Sequence, residues 1–380
     1  PFGADTDVGD APRGVVAHHL GRALDVINEN PAIKVAVEIQ PGTQDEQRRV
    51  RIVGADADPL TRFLSFDDTG NAATGRHRIA IGMRHADIGG RADMLTMQYA
   101  VSAEKPAAAS FWGLGYRLPL PAQGLAADAY LGHSDVSSGT VAGLFDVAGK
   151  GTVAGLRLTR ALDRIGSYRH QIAAALDYRD FRNRVTVNGG ASLVPDYVVH
   201  PFSLSYSGEL DSTSVTVTAV QGFAGGPRSD TATLSQARLG ANAGYSLWRF
   251  GASHGEALPG GWLVRALASA QETSAALVPG EQFGLGGAQS VRGFEERHIA
   301  GDRGIRLSME IHAPSQPLER FELRPLAFVD YGALRRNQVQ PGEVAHEGIA
   351  SWGFGLRLQL QKQVALALDV ARVERGTATQ

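Results

Sequence analysis

The residue types that could do chemistry are few, and most are arranged wrongly for it. Gly132-His133-Ser134-Asp135 sets three hydrolase-triad residue types side by side, but neighbours on a strand point to opposite faces and cannot form a triad. Gly284-Leu285-Gly286-Gly287 has the glycine content of a phosphate cradle, yet neither a helix nor a Lys-Ser/Thr pair follows it. His18 and His19 lack a third ligand at metal-binding spacing and read as helix-surface histidines. What remains is a charged set near the C-terminal third: Arg292, Asp302, Arg303, Glu310 and Asp330. Three carboxylates could serve acid–base hydrolysis, but pairing with Arg292 and Arg303 accounts for them more simply. A guanidinium in a confined space needs a carboxylate, and a bidentate Arg–carboxylate pair fixes orientation as well as charge.

Composition narrows the function classes further. A net charge of −2 lacks the basic field that phosphate binding requires, so nucleic acid is not expected as a partner. With 0 cysteines there is no disulfide framework, thiolate metal site, redox pair or thiol nucleophile. No cofactor or metal is expected. Arginine carries nearly all the positive charge, lysine occurring only at Lys34, Lys105, Lys150 and Lys362. Glycine supplies 46 of 380 residues, about 12%, against a usual level of about 7%. No stretch approaches the roughly 18 apolar residues of a membrane helix.

The elements that must position these residues come in two kinds. Pro1 begins a segment with neither a basic n-region nor an apolar h-region, so either a signal peptide has been removed or, as the preferred reading, the sequence starts partway through a longer protein. Val16, Leu20, Leu24 and Ile27 place an amphipathic helix over about 14–30, which ends before Pro31. A strand follows, with Ile33, Val35, Val37 and Ile39 on one face, then a Pro41-Gly42 turn and a second strand at about 48–53. Residues 1–57 thus form a piece of a small α+β module.

From about residue 59 onward the period is two. Ile79, Ile81 and Met83 alternate with Arg78, Ala80, Gly82 and Arg84; Trp352, Phe354, Leu356 and Leu358 alternate with Gly353, Gly355, Arg357 and Gln359. One face is aliphatic and aromatic, while the other is Gly, Ala, Ser, Thr, Gln, Arg and Asp. The runs are longer than the usual 5–6 residues of soluble strands and match tilted strands crossing a bilayer. The competing reading is a large soluble β protein, whose outer face would favour Lys and Glu.

Fifteen strands are expected, near 59–66, 76–86, 93–102, 109–119, 124–134, 146–160, 168–181, 197–208, 212–222, 236–251, 261–272, 304–313, 321–332, 347–360 and 363–373. Short connections (87–91, 119–123, 361–362) alternate with long ones (183–196, 222–236, 335–346). Bacterial antiparallel barrels have even strand numbers, so 16 are expected, with a sixteenth beyond the tail 374–380. The expected fold is therefore an all-β transmembrane barrel over 58–380.

The 276–304 loop carries a sequence that resembles a known family. Gly286-Gly287, Val291-Arg292-Gly293-Phe294 and Gly301-Asp302-Arg303-Gly304, followed by Phe328, Asp330 and Gly332, are similar to the motifs of outer-membrane polypeptide transporters with POTRA (polypeptide-transport-associated) domains. Asp67, Gly70, Thr74, Gly75 and Arg78 resemble the first hairpin of the two-partner secretion branch, with Asp68 standing where that branch has Asn. Gly90, Arg91, Asp93 and Leu95 resemble its next turn, and residues 29–42 the end of its second POTRA domain.

The resemblance implies that the 276–304 loop re-enters the barrel and that Arg292 meets Asp330 on the wall. It implies that Phe328 and Glu310 lie near them, supported by Gly286, Gly287, Asp302 and Gly304. Gly293 permits a tight turn and Phe294 packs against lumen aromatics. The implied activity is export of an unfolded exoprotein of adhesin or haemolysin type, captured by a periplasmic POTRA module. The implied setting is the outer membrane of a Gram-negative bacterium, with outer-membrane lipid around a monomeric barrel and no enzymatic step. The alternatives are a barrel-assembly insertase of the same superfamily and a diffusion porin.

Overall fold

The computed structural model describes residues 15–41, 48–141, 145–187, 194–361 and 363–375. Several expectations lie wholly or partly outside them: the opening segment 1–14, the turn after Pro41, part of the 183–196 connection, Lys362, and the tail from residue 376. The side chains of His18 and His19 are also outside.

The N-terminal module is a helix, α1 (Val15–Asn28), followed by an antiparallel pair, β1 (Ile33–Pro41) and β2 (Arg48–Asp56). Asn30 stops the helix as a hinge: its side chain accepts from the Ala32 amide at 2.9 Å and donates to the carbonyls of Ala86 (2.5 Å) and Ala92 (2.9 Å). The module is thereby tied to the first short turn of the main sheet. Arg22 pairs with Asp163 at 3.1 Å, and Asp25 and Glu29 pair with Arg164 and Arg117. Val26 packs with Ala126 and Ala161. All these partners lie at or beside short connections, so the module sits at one end of the sheet.

The main sheet begins with β3 (Leu60–Asp67), β4 (Arg78–His85), β5 (Met94–Ser102), β6 (Ala109–Leu120), β7 (Leu125–Val141), β8 (Phe145–Ala161) and β9 (Arg169–Val187). It continues through β10 (Tyr197–Leu210), β11 (Thr213–Phe223), a short helix α2 (Thr231–Ala237), β12 (Ser246–Ala257) and β13 (Leu263–Glu272). A separate hairpin, β14 (Phe283–Leu285) with β15 (Ile299–Gly301), occupies the long loop. Then come β16 (Arg303–His312), the short β17 (Gln316–Leu318), β18 (Phe321–Arg335), β19 (His346–Leu360) and β20 (Val364–Arg375). Fifteen strands, β3 to β13 with β16 and β18 to β20, form one antiparallel path, and β17 pairs only with β18. This matches the number read from period two. Because fifteen is odd, β3 and β20 run in the same direction and cannot pair antiparallel with each other.

Two strand expectations need correction. The strand placed at 236–251 starts instead at Ser246 and runs to Ala257. The alternating Ala241, Ala243 and Tyr245 are buried in a loop cluster with Leu234, Leu247 and Leu277, so their spacing mimicked a strand. Upstream, Asp230 caps α2 by accepting from the Thr233 amide at 2.9 Å, which commits the segment to a helical turn. The second correction is length. β7 and β9, of 17 and 19 residues, run past their expected ends at 134 and 181 to Val141 and Val187, whereas β8 (Phe145–Ala161) lies within one residue of its expected limits.

The apolar face points outward. Leu156 is 64% exposed, Phe354 65% and Val370 77%, on three different strands. The opposite face meets the long loop from several directions. Glu281 reaches β9 and β12, Arg292 reaches β16 and β18, and Gly293 packs on β20. One segment can touch strands that far apart in the sheet order only if the sheet curls around it.

Candidate functional site: an arginine node on the inner wall

The loop between β13 and β16 turns back on itself through β14 and β15, and its tip carries Val291, Arg292, Gly293 and Phe294. Leu285, Val291 and Ile299 form a buried cluster with Leu334 and Ile349 of the wall, against which Phe283 and Phe294 pack. Phe294 therefore rests on aliphatic side chains and on His298, at 5.2 Å between rings, rather than on lumen aromatics. Gly286 and Gly287 have φ of +105° and +108°, values at which an L side chain is strained. Gly293, at φ +89°, lies so close to β20 that a Cβ would stand 2.8 Å from Val373 and 2.9 Å from Ala371. The tip is thus clamped between an aliphatic cushion and the last described strand.

That clamp delivers Arg292 to a set of acceptors fixed by strand register. Ser308 of β16 is directly opposite Asp330 of β18, and Glu310 is opposite Phe328, so all four share the inner face. Arg292 donates to Asp330 through Nε (2.7 Å) and Nη2 (2.8 Å), and through its backbone amide (3.1 Å). Its Nη1 donates to Glu310 at 2.7 Å and its Nη2 to Ser308 at 3.3 Å. Ser308 in turn donates to Asp330 at 2.6 Å. The guanidinium carbon lies 3.6 Å from the centroid of Phe328, so the cation is stacked as well as paired. Asp369 of β20 adds a longer contact at 3.9 Å, and His312 meets Glu310 at 2.9 Å. Asp330 is 1% exposed and Arg292 6%. Pairing at that depth is strongly directional, because removing either partner strands a buried charge.

Asp302 does not join this node. It is fully buried and pairs with Arg238 at 3.2 Å, while accepting from the amides of Leu277 (2.8 Å) and Asn337 (2.6 Å). Arg303 pairs with Glu272 at 3.2 Å. The expected pairing of Asp302 with Arg292 or Arg303 is therefore replaced by a second node that joins three long connections. Register explains the split: Asp302 precedes β16 and sits a full strand length above Glu310. Gly304, beside it, lies close under the Ala333 carbonyl, where a Cβ would clash at 2.6 Å.

Several participants carried no sequence signal of their own. Ser308 is recognisable only as the residue two before Glu310 on the same face. Glu281, fully buried, bonds Arg179 at 2.7 Å and Arg249 at 3.3 Å, and nothing in its neighbourhood sets it apart. Among the described residues no cluster of three His, Cys, Asp or Glu stands ready for a metal ion.

The hairpin motifs also form defined structures. At the β3–β4 tip, Asp67 accepts from the Thr69 amide at 3.1 Å. Asn71 accepts from Ala73 (3.0 Å) and Thr74 (2.9 Å), and the Gly70 amide donates to the Arg76 carbonyl at 2.9 Å. In the following turn Asp93, 1% exposed, accepts from the Gly89 amide and the Tyr116 hydroxyl, both at 2.8 Å.

Comparison with known proteins sets this geometry in a family. A family model described as haemolysin secretion/activation protein ShlB/FhaC/HecB matches residues 47–358. The outer membrane transporter CdiB of Dickeya dadantii (strain 3937) is 25% identical over 319 residues, covering 77% of this chain and 53% of that protein. The chain thus spans about half the length of that curated relative. The structure of CdiB from Escherichia coli superimposes with a TM-score of 0.79 at 20% identity, covering 96% of this chain and 69% of the other. BamA from Haemophilus ducreyi lacking POTRA domains 1–3 superimposes with a TM-score of 0.58 at 13% identity, over 96% and 76%. The fold is that of these β-barrel neighbours. On the match of its family model, the chain belongs to the haemolysin secretion/activation family ShlB/FhaC/HecB.

Proposed function

We propose that this chain is the membrane portion of an outer-membrane transporter that exports one unfolded partner exoprotein. The observation that carries the reading is the buried Arg292–Asp330–Glu310 node, which fixes a long loop against the inner wall of a polar-lined sheet. Residues 58–380 form the barrel, with the 276–304 loop inside it, and residues 1–57 the C-terminal part of a periplasmic POTRA module. Because β3 and β20 run in the same direction, closure in this register takes one further, descending strand between them, giving 16. The apolar outer face then meets lipid in the outer membrane of a Gram-negative cell, and the barrel is monomeric.

The client, of adhesin or haemolysin type, enters at the module's end and adds a strand to its exposed sheet edge. It passes the lumen in extended form. No nucleotide site is used; folding of the client outside supplies direction. Arg292 holds the loop in the arrangement competent for export, with Phe328, Val291, Gly293 and Phe294 seating it.

The test uses the exoprotein that disappears from culture supernatant when the gene is deleted. Arg292→Ala and Asp330→Ala are expected to abolish its appearance while the barrel remains inserted and heat-modifiable on gels. Arg292→Lys, which keeps the charge but cannot span Asp330 and Glu310 together, is expected to retain partial export. Normal export from both alanine variants would overturn the role of the pair. A general loss of outer-membrane proteins on gene deletion, instead of one exoprotein, would favour an assembly role.

A further inference from the structure

The inner face opposite the arginine node is built differently. Along β8 to β12 it encloses a cavity of about 300 Å³ with no large apolar side chain on its central rows. Serine and threonine pair across the strands there, Ser205 with Thr218 at 2.9 Å and Ser207 with Thr216 at 3.2 Å. Three arginines, Arg157, Arg179 and Arg249, line the same space. Among the described residues that line it, Asp177 is the one carboxylate, and that group is already committed to Tyr130 and to Arg179 at 2.6 Å. Arg157 has no carboxylate partner among the described residues.

One chain that is not part of this wall already places a carboxylate on it. Glu281 comes from the long loop and is clasped between Arg179 and Arg249, with no exposed surface. It is an internal example of what the wall accepts: an acidic side chain carried by an irregular segment. Its backbone carbonyl is held too, by Gln271 at 3.0 Å. Below it the hydroxyl rows offer hydrogen bonds to any backbone without a preferred register, and Arg157 offers a second cation.

From this we infer that the β8–β12 wall is a carboxylate-reading track for an extended polypeptide, with Glu281 as resident occupant of its outer end. The inference rests on the export reading and adds the wall the client follows and the side-chain charge it favours. Acidic segments are held in passing by Arg157 and compete with Glu281 at Arg179 and Arg249, whereas basic segments are repelled.

The natural absence of cysteine makes the test direct. Ser205→Cys, with Thr218→Cys as a second variant, puts one thiol in the cavity of the full chain held in a phosphatidylethanolamine–phosphatidylglycerol bilayer. The probes are unstructured Gly/Ser peptides bearing either Asp or Lys and ending in a pyridyl-disulfide-activated cysteine. The cavity thiolate attacks the peptide sulfur, one disulfide replaces another, and pyridine-2-thione leaves. Labelling by the Asp peptide is expected to exceed that by the Lys peptide about tenfold, as a local positive field would impose. Arg157→Gln should shrink that ratio while leaving labelling by a small neutral thiol reagent unchanged. Equal rates for both peptides, a ratio unmoved by Arg157→Gln, or no labelling of either cysteine by any reagent would each overturn the track. No secretion step enters this assay, so its failure alongside normal export sinks the track alone. Failure of export by the unaltered protein sinks the underlying reading.

Discussion

Asp330 shows why a single inner-wall residue can govern a loop of some thirty. It accepts three donors from Arg292 and one from Ser308 while almost fully buried, so its charge has no water to fall back on. Removing it would leave the guanidinium with Glu310 as its near partner, a change worth about 3–5 kcal/mol for buried pairs. Asp93 illustrates the same logic in a turn outside the strands of the main sheet. Burial alone would raise its carboxyl, but hydrogen bonds from Tyr116 and from the backbone of Gly89 outweigh that and hold it below the ordinary range. A carboxyl depressed on folding stabilises fully above its unfolded value of about 4 and loses that contribution as pH falls through the folded value. Amide exchange across residues 87–93 should therefore accelerate below about pH 4 relative to an Asp93→Asn variant, which should show no such step.

At the scale of strands, the glycine excess has a specific use. Tyr130 of β7 reaches across β8 to Asp177 of β9, and the ring passes directly over Gly155, where any Cβ would collide with it. Gly332 and Gly353 make the same room for Leu285 and Phe328 beside the arginine node. Gly155→Val is expected to displace the tyrosine and cost about 1–3 kcal/mol, as overpacking usually does. Urea unfolding in detergent would register it, and a midpoint unchanged from the parent would mean that the ring lies elsewhere. The strands themselves were legible from period two because over most of their length one face is exposed and apolar while the other is small or polar. The start of β12 was not, since Ala241, Ala243 and Tyr245 alternate for the sake of a loop cluster rather than a ladder.

For the whole molecule, the junction between the module and the sheet is the feature that sequence could not announce. Asn30 holds two carbonyls of the β4–β5 turn, and three ion pairs flank it along the short connections. Asn30→Ala combined with Arg117→Ala should free the module. The expected readout is faster proteolysis near residues 29–33, with the sheet intact and export slowed; protection equal to that of the parent would show that the junction does not depend on these contacts.

The sequence by itself determined the period, the number of strands and which face of each is apolar, because alternation is local and survives without knowledge of partners. It also placed Phe328 with Asp330 on one face, and Glu310 with His312 on another, once their strands were recognised. Which carboxylate meets which arginine was decided only by tertiary structure. Asp302 chose Arg238 rather than Arg303, and Glu281 found Arg179 and Arg249, because strand register and the return path of the loop set those distances. Charge pairing acts across space between residues as far as 139 positions apart, and no spacing along the chain encodes it.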